Sequence, residues 1–301
     1  MVTGTVFNHR DRCALCGGVE KATLLSRAFT DPSIWGFLEK YYEGRVPRET
    51  LGDGLYEIVQ CSRCAFIWQA YILNDRWMAE LYDRWIGSED SLQKRVDGGV
   101  GRYARQTEVI AALFPRKAAP EIQVLDFGMG WGFWCLAAKA RGFRVVGLEL
   151  SEERLRFACE QGIESWRTLA DNPAVSFDFI NAEQVFEHIP QPRETLAALA
   201  ARLHPGGVVR IAVPDGAGMA RELAQPDWHA AKDALHPLEH INCFTRQTLT
   251  ALGHTAGLRV VHPPLQPAAS RGFQGALKSA AGSVYRRFFG TVLDFRKPGR
   301  S

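Results

Sequence analysis

The chain has 301 residues, 46% hydrophobic and 23% charged, with a formal net charge of +3. That is ordinary globular composition, long enough for one large core and a small appendage, and the charge is too low to argue for a nucleic-acid partner. No stretch approaches the roughly 18 uninterrupted apolar residues of a membrane span, and MVTGTVFNHRDR at the start lacks the apolar block of a signal peptide, so a cytoplasmic protein without membrane contact is expected.

Four of the seven cysteines form two pairs near the amino terminus, Cys13-x-x-Cys16 and Cys61-x-x-Cys64. Two intervening residues let a tight turn aim both sulfurs at one ion, and two such knuckles supply the four thiolates that structural zinc prefers. Gly17 suits the sharp turn, and Arg12 and Arg63 offset the charge of a four-thiolate site. With all four positions filled by protein, the ion has no open position for catalysis. Cys135, Cys159 and Cys243 lack such partners and are expected to be small core residues. Between the knuckles, Ile34, Phe37, Leu38 and Tyr41 mark an amphipathic helix, and Leu55 to Val59 a strand. After the second knuckle, Trp77, Met78, Leu81, Tyr82 and Trp85 recur at helical spacing and are read as packing.

From Glu121 the rhythm changes to strands alternating with helices. IQVLDF precedes the helix WCLAAKAR, RVVGLEL precedes SEERLRFACEQ, FDFINAEQV precedes PRETLAALAARL, and VVRIAVP precedes RQTLTALGHTAG; LRVVHPPL and GTVLDF close the set. Ser151 and Thr245 are placed as helix N-caps, while Gly142 and Gly162 stand where helices stop. Such alternation predicts an α/β fold, a mainly parallel sheet with helices on both faces. Ligands in such sheets bind beyond the carboxyl ends of the strands, where strand order reverses. The boundaries drawn are a zinc-binding module over 1–75, linking helices over 76–120 and the α/β domain over 121–301.

The first strand runs into VLDFGMGWGFW, where Asp126 and Phe127 precede glycines at 128, 130 and 132, with Trp131 among them. Glycines there admit positive φ and let backbone approach a ligand. A dinucleotide turn would carry no acid before its first glycine; a carboxylate disfavours pyrophosphate and suits an ammonium group.

This turn, Glu149 at the end of RVVGLEL, the segment FDFINAEQVFEHIPQP and the segment LHPGGVVRIAVPD together resemble the class I S-adenosylmethionine-dependent methyltransferases, whose Rossmann-like sheet is then the expected fold. The resemblance spans roughly Tyr103 to Pro264. It implies S-adenosylmethionine as cofactor, with Gly128, Gly130 and Gly132 as the backbone platform, Asp126 as a nearby orienting acid, Phe127 among the cofactor-binding residues and Trp131 over the methionine arm. Glu149 would take the ribose hydroxyls through two acceptor oxygens, Leu150 would flank the adenine, and Glu183 and Gln184 would border the methionine end. With its zinc module, its LYDRWI-like helix and LEHINCFTRQTL, the chain also resembles zinc-ribbon methyltransferases of bacterial secondary-metabolite and surface-sugar pathways. The sugar C-methyltransferases among them carry a further large carboxyl-terminal domain that 301 residues leave no room for, so sugar C-methylation in particular is not the expected reaction.

Methyl transfer needs alignment, a dry site and, where the nucleophile carries a proton, a base. His188 in FEHIP and His236 and His240 in LHPLEHINCF are the candidates. His240, beside Glu239, is the first choice, weighed evenly against a role in tying its loop; for His188 a lining role is favoured. No Asn/Asp-Pro-Pro-aromatic string occurs at the end of the strand FDFINAEQV, which argues against base-flipping N-methylation and against nucleic acid. The expected function is methyl transfer to a small-molecule acceptor, O-, C- or N-directed. The alternatives are an RNA methyltransferase binding substrate through its ribbon, and a non-catalytic scaffold that senses the cofactor. The oligomeric state stays open, as does an anionic contact for the basic stretch from Ser270 to Ser301.

Overall fold

The computed structural model describes residues 5–86, 101–263 and 290–299, so most of the basic carboxyl-terminal stretch lies outside the described residues. The chain divides into two compact units that do not follow the chain in blocks. The first comprises Met1–Glu89, Phe186–Arg193 and Pro214–Thr248, and the second comprises Asp90–Val185, Glu194–Val213 and Leu249–Ser301.

In the first unit, β1 (Phe7–His9) pairs with β5 (Tyr71–Leu73), and β2 (Lys21–Ala28), β3 (Leu55–Cys61), β4 (Ile67–Gln69) and β11 (Asn242–Cys243) form an antiparallel sheet in the order β11-β4-β3-β2. The helix Pro32–Tyr41 starts where Asp31 accepts from the Ser33 amide, with proline in its first turn, and buries Ile34 and Leu38 one turn apart. It packs with Phe29, Tyr56, Leu235 and Leu238 in one apolar core. Pairing of Asn242 with Trp68 and Cys243 with Ile67 draws residues 214–248 into this unit, although the sequence pattern assigns them to the α/β domain.

In the second unit, seven strands run in the order β12-β13-β10-β9-β6-β7-β8. They are β6 (Gln123–Phe127), β7 (Arg144–Leu148), β8 (Glu164–Trp166), β9 (Phe177–Glu183), β10 (Leu203–Ala212), β12 (Arg259–Val261) and β13 (Val292–Arg296). The five from β10 through β8 are mutually parallel, whereas β13 is antiparallel to both β10 and β12. The chain leaves β6 for β7 and β8 on one side and then returns to β9 on the other, so strand order reverses at β6. Ser151 caps the helix Glu152–Glu160 as expected, accepting from the Arg154 amide, and Gly142 and Gly162 carry the positive φ of helix ends. Cys135 and Cys243 are buried, but Cys159 is exposed: it lies on the outer face of its helix, which corrects the expectation that it is a core residue.

Candidate active site

The glycine turn occupies the reversal point. The amides of Gly128 and Met129 both donate to the Leu148 carbonyl, at 2.9 Å each, which moors the turn to β7. All three glycines have positive φ. A Cβ on Gly128 would lie 2.6 Å from Val185 and one on Gly132 2.9 Å from Ile163, whereas one on Gly130 would meet nothing within 4 Å. Positive φ thus favours glycine at all three positions, an added Cβ would also crowd a side chain at Gly128 and Gly132, and Gly130 opens onto free space.

Next to that space, Glu149 Oε2 accepts from the Gly130 amide at 2.9 Å and Oε1 accepts from the amides of Leu150 and Ser151 at 2.9 and 3.1 Å. Arg154 lies 3.7 Å away. The carboxylate is therefore fixed before any ligand arrives, with acceptor capacity left on both oxygens. Leu150, one residue on, is an apolar side chain left 70% exposed.

Asp126 is placed differently. It is buried in the sheet, where Asn181 on the paired strand donates to Oδ1 at 2.8 Å and the Cys135 thiol to Oδ2 at 3.6 Å. Burial lifts its pKa to about 7, against the effect of the Asn181 bond and with that of the Glu183 charge. Its carboxylate anchors the root of the turn. The Trp131 ring packs edge-on to Phe157, with the Arg154 guanidinium 5.8 Å from its centre. At the end of β9, Glu183 accepts from Gln106 at 3.1 Å, and Gln106 in turn accepts from the Trp134 indole at 2.9 Å. Gln184 holds a left-handed backbone, with its amide on the Ala212 carbonyl. Phe127 is half-buried at the end of β6.

In the first unit the four amino-terminal cysteines converge. Cys13 and Cys64 sulfurs lie 3.6 Å apart and Cys16 and Cys61 sulfurs 3.5 Å apart. Zinc–sulfur bonds in a tetrahedron separate the sulfurs by about 3.8 Å, so the set fits the ion. The two knuckles have one geometry: the Gly17 amide donates to the Cys13 carbonyl and the Ala65 amide to the Cys61 carbonyl, and both Gly17 and Ala65 are left-handed.

The same unit gathers every predicted catalytic residue. The His188 and His240 rings meet edge to face at 4.9 Å, and those of His236 and His240 at 5.1 Å. Gln69 on β4 holds their loop by donating to the carbonyls of His236 and His240. Glu239, however, does not serve its neighbour His240: its Oε1 accepts from the Tyr42 hydroxyl at 2.7 Å and lies 3.5 Å from His236 Nε2. His236 itself is fully buried, edge-on to Phe37 and Tyr41. Burial lowers all three imidazoles, His188 to about 3, His236 to about 2 and His240 to about 4, so each is neutral near pH 7. Burial raises Glu187 to about 8. Tyr42, Glu187, Gln106 and Asn181 escape the sequence reading; only Glu187 carries a signal there, its place in the FEHIP segment.

A glycine turn at the reversal point of this strand order, with an acid ending the next strand, defines the class I methyltransferase fold. The chain belongs to the methyltransferase domain family, which matches residues 100–263, more than half of its length. It is similar to the ubiquinone biosynthesis O-methyltransferase of Idiomarina loihiensis, 36% identical over 97 residues, 29% of this chain and 40% of that protein. The corresponding protein of Hahella chejuensis is 37% identical over 101 residues, 30% of this chain and 42% of that one. The match spans about two fifths of the length of these relatives. Among solved structures, the plantazolicin methyltransferase BamL, in complex with a triazolic desmethylPZN analog and SAH, is 15% identical with a TM-score of 0.49, covering 73% of this chain and 94% of that one.

Proposed function

We propose that the protein transfers a methyl group from S-adenosylmethionine to a small-molecule acceptor, at oxygen. The observation that carries the reading is the Glu149 carboxylate held on the Gly130 amide beside open space, with Leu150 exposed next to it. A fixed carboxylate suits the vicinal hydroxyls of a ribose, an exposed leucine suits the face of a purine, and a bare glycine backbone admits the methionine arm. When bound, S-adenosylmethionine supplies the methyl as a sulfonium electrophile. The chain's own part is then to align the acceptor and receive its proton. The histidine cluster is assigned that second task. Imidazoles neutral at pH 7 can accept a proton, and His240 Nε2 is a candidate, since its Nδ1 is engaged by the Asp233 carbonyl. Direction to oxygen is supported by the named activity of the relatives, and a small acceptor by the net charge of +3. The four-thiolate set is proposed to hold a structural zinc, which closes the fold of its unit and takes no step in the reaction.

Calorimetric titration of zinc-replete protein with S-adenosylmethionine tests the reading. One site per chain is expected, with Glu149→Ala weakening it at least tenfold through loss of the charge-assisted contact. No binding by the wild-type protein would sink it, leaving a bare scaffold.

A further inference from the structure

Glu187, His188 and His240 offer one carboxylate and two imidazoles whose ligand atoms all lie within 4.8 Å of one another. The orientation of both rings is fixed. His188 Nδ1 meets the Glu239 carbonyl at 2.9 Å, and His240 Nδ1 meets the Asp233 carbonyl. A carbonyl only accepts, so each Nδ1 carries the proton and each Nε2 keeps its lone pair. Metal-ligating histidines are held in this way, by a backbone carbonyl on the nitrogen that does not ligate.

Glu187 supplies the independent observation. It is 1% exposed, and among the described residues neither carboxylate oxygen has a hydrogen-bond partner. Burying a carboxyl group without a donor is unfavourable, because its lost hydration is not replaced. Neutral imidazoles cannot relieve it, since their protons are committed to carbonyls. Nor can a protonated Glu187 donate to His188, whose Nε2 lies 3.9 Å away, beyond hydrogen-bond reach. A cation between the three groups meets all these needs together.

We propose that Glu187, His188 and His240 bind a divalent first-row transition-metal ion through one carboxylate oxygen and the two Nε2 atoms. Two imidazoles with one carboxylate select zinc, iron, cobalt or manganese over magnesium and calcium, which prefer all-oxygen shells. Ligand atoms about 2.1 Å from a tetrahedral ion stand about 3.4 Å apart, so the 3.9 Å pair closes by about half an ångström. Three protein ligands leave a position open, unlike the closed thiolate cluster. The inference rests on the assignment of the acceptor's activation to this cluster, and it changes the agent: with His240 Nε2 on the ion, the metal rather than a free imidazole polarises an acceptor oxygen. Glu239 and Asp233 support the site through their carbonyls.

Titration of the metal-stripped, reduced full-length protein with Co2+ tests it. The first equivalent is expected to give the intense thiolate-to-cobalt charge transfer of the cysteine cluster. A second is expected to add weak visible ligand-field bands and no further thiolate charge transfer. Glu187→Gln and His240→Gln are each expected to weaken the second equivalent at least tenfold, while the first, unchanged, reports that the unit is folded. A single thiolate equivalent in the wild type, or a second equivalent unmoved by both substitutions, would overturn the proposal. S-adenosylmethionine titration of the same wild-type sample separates the two ideas. Normal cofactor binding with one cobalt equivalent leaves His240 as the base and removes the metal. Two equivalents without cofactor binding uphold the metal site and remove methyl transfer.

Discussion

In the glycine turn the groups that shape the site are mostly backbone: the amides of Gly128 and Met129 on the Leu148 carbonyl, and that of Gly130, which the Glu149 carboxylate reaches from the end of the neighbouring strand. In the histidine cluster they are side chains, drawn from the helix Pro32–Tyr41 and the residue after it, from residues 187 and 188, and from the loop before β11. The difference lies in what each must preserve. A backbone site is spoiled by an added Cβ, and its code is a short stretch of closely spaced glycines. A side-chain site is spoiled by the loss of any distant partner, and its code is scattered along the chain.

The cysteine cluster is the extreme of the second kind, and its loss is expected to have the largest effect. The Cys13→Ser, Cys61→Ser double variant should retain almost none of the roughly one tightly held zinc per chain expected of the parent. Structural zinc sites contribute on the order of 10 kcal/mol to the folding of small metal-dependent modules, so the first unit should unfold at a much lower temperature. Elemental analysis with thermal unfolding reads both. Full zinc in the double variant would break the comparison at its strongest point.

The next effect belongs to the root of the glycine turn. Asp126 titrates near 7 in the folded protein and near 3.8 when unfolded, because burial opposes its charge. The groups facing it are Asn181 and Cys135, with the charges of Glu183 and Glu149 adding to the opposition. Below about pH 4 both states hold the proton and the full contribution is present. As pH rises from about 4 to 7 the unfolded chain releases a proton that the folded chain keeps, and stability falls, by up to about 4 kcal/mol. Asp126→Asn keeps an acceptor for Asn181 and removes the titration. The difference between variant and parent, from urea unfolding between pH 4.5 and 8, should therefore grow with pH; parallel profiles would show that Asp126 is ionised throughout.

The same contrast explains what the sequence revealed. The turn, Glu149, the caps at Ser151 and Thr245 and most strands of the large sheet are local patterns, and each lies where the pattern puts it. The short strand β8 escaped because only Trp166 among its three residues is buried, too little for a period. Cysteine spacing exposed the thiolate set, although Ala65 takes the left-handed turn where glycine would be the natural choice. The three histidines were legible as residue types, yet their partners were not. Adjacent in sequence, Glu239 and His240 take different partners, the Tyr42 hydroxyl and the Asp233 carbonyl. The pairing of β11 with β4 and the hold of Gln69 on the loop bring Glu239 to Tyr42, and no local pattern records contacts across so many residues.

Tyr42→Phe isolates that long-range link with the smallest change. The ring stays, with its packing against Tyr41 and His236, and a single hydroxyl is removed. Glu239 Oε1 then keeps only His236 Nε2, 3.5 Å away, at the edge of hydrogen-bond reach. A buried acceptor deprived of its donor costs about 1–3 kcal/mol, and partial recovery through His236 points to the lower end, about 1–2 kcal/mol by urea unfolding. The imidazole resonances of His236 should shift in the same variant, because its ring becomes the carboxylate's only remaining partner. A loss below about 0.3 kcal/mol with unmoved resonances would mean that Glu239 is already satisfied without Tyr42, and that the cluster is less dependent on distant side chains than the glycine turn is on its backbone.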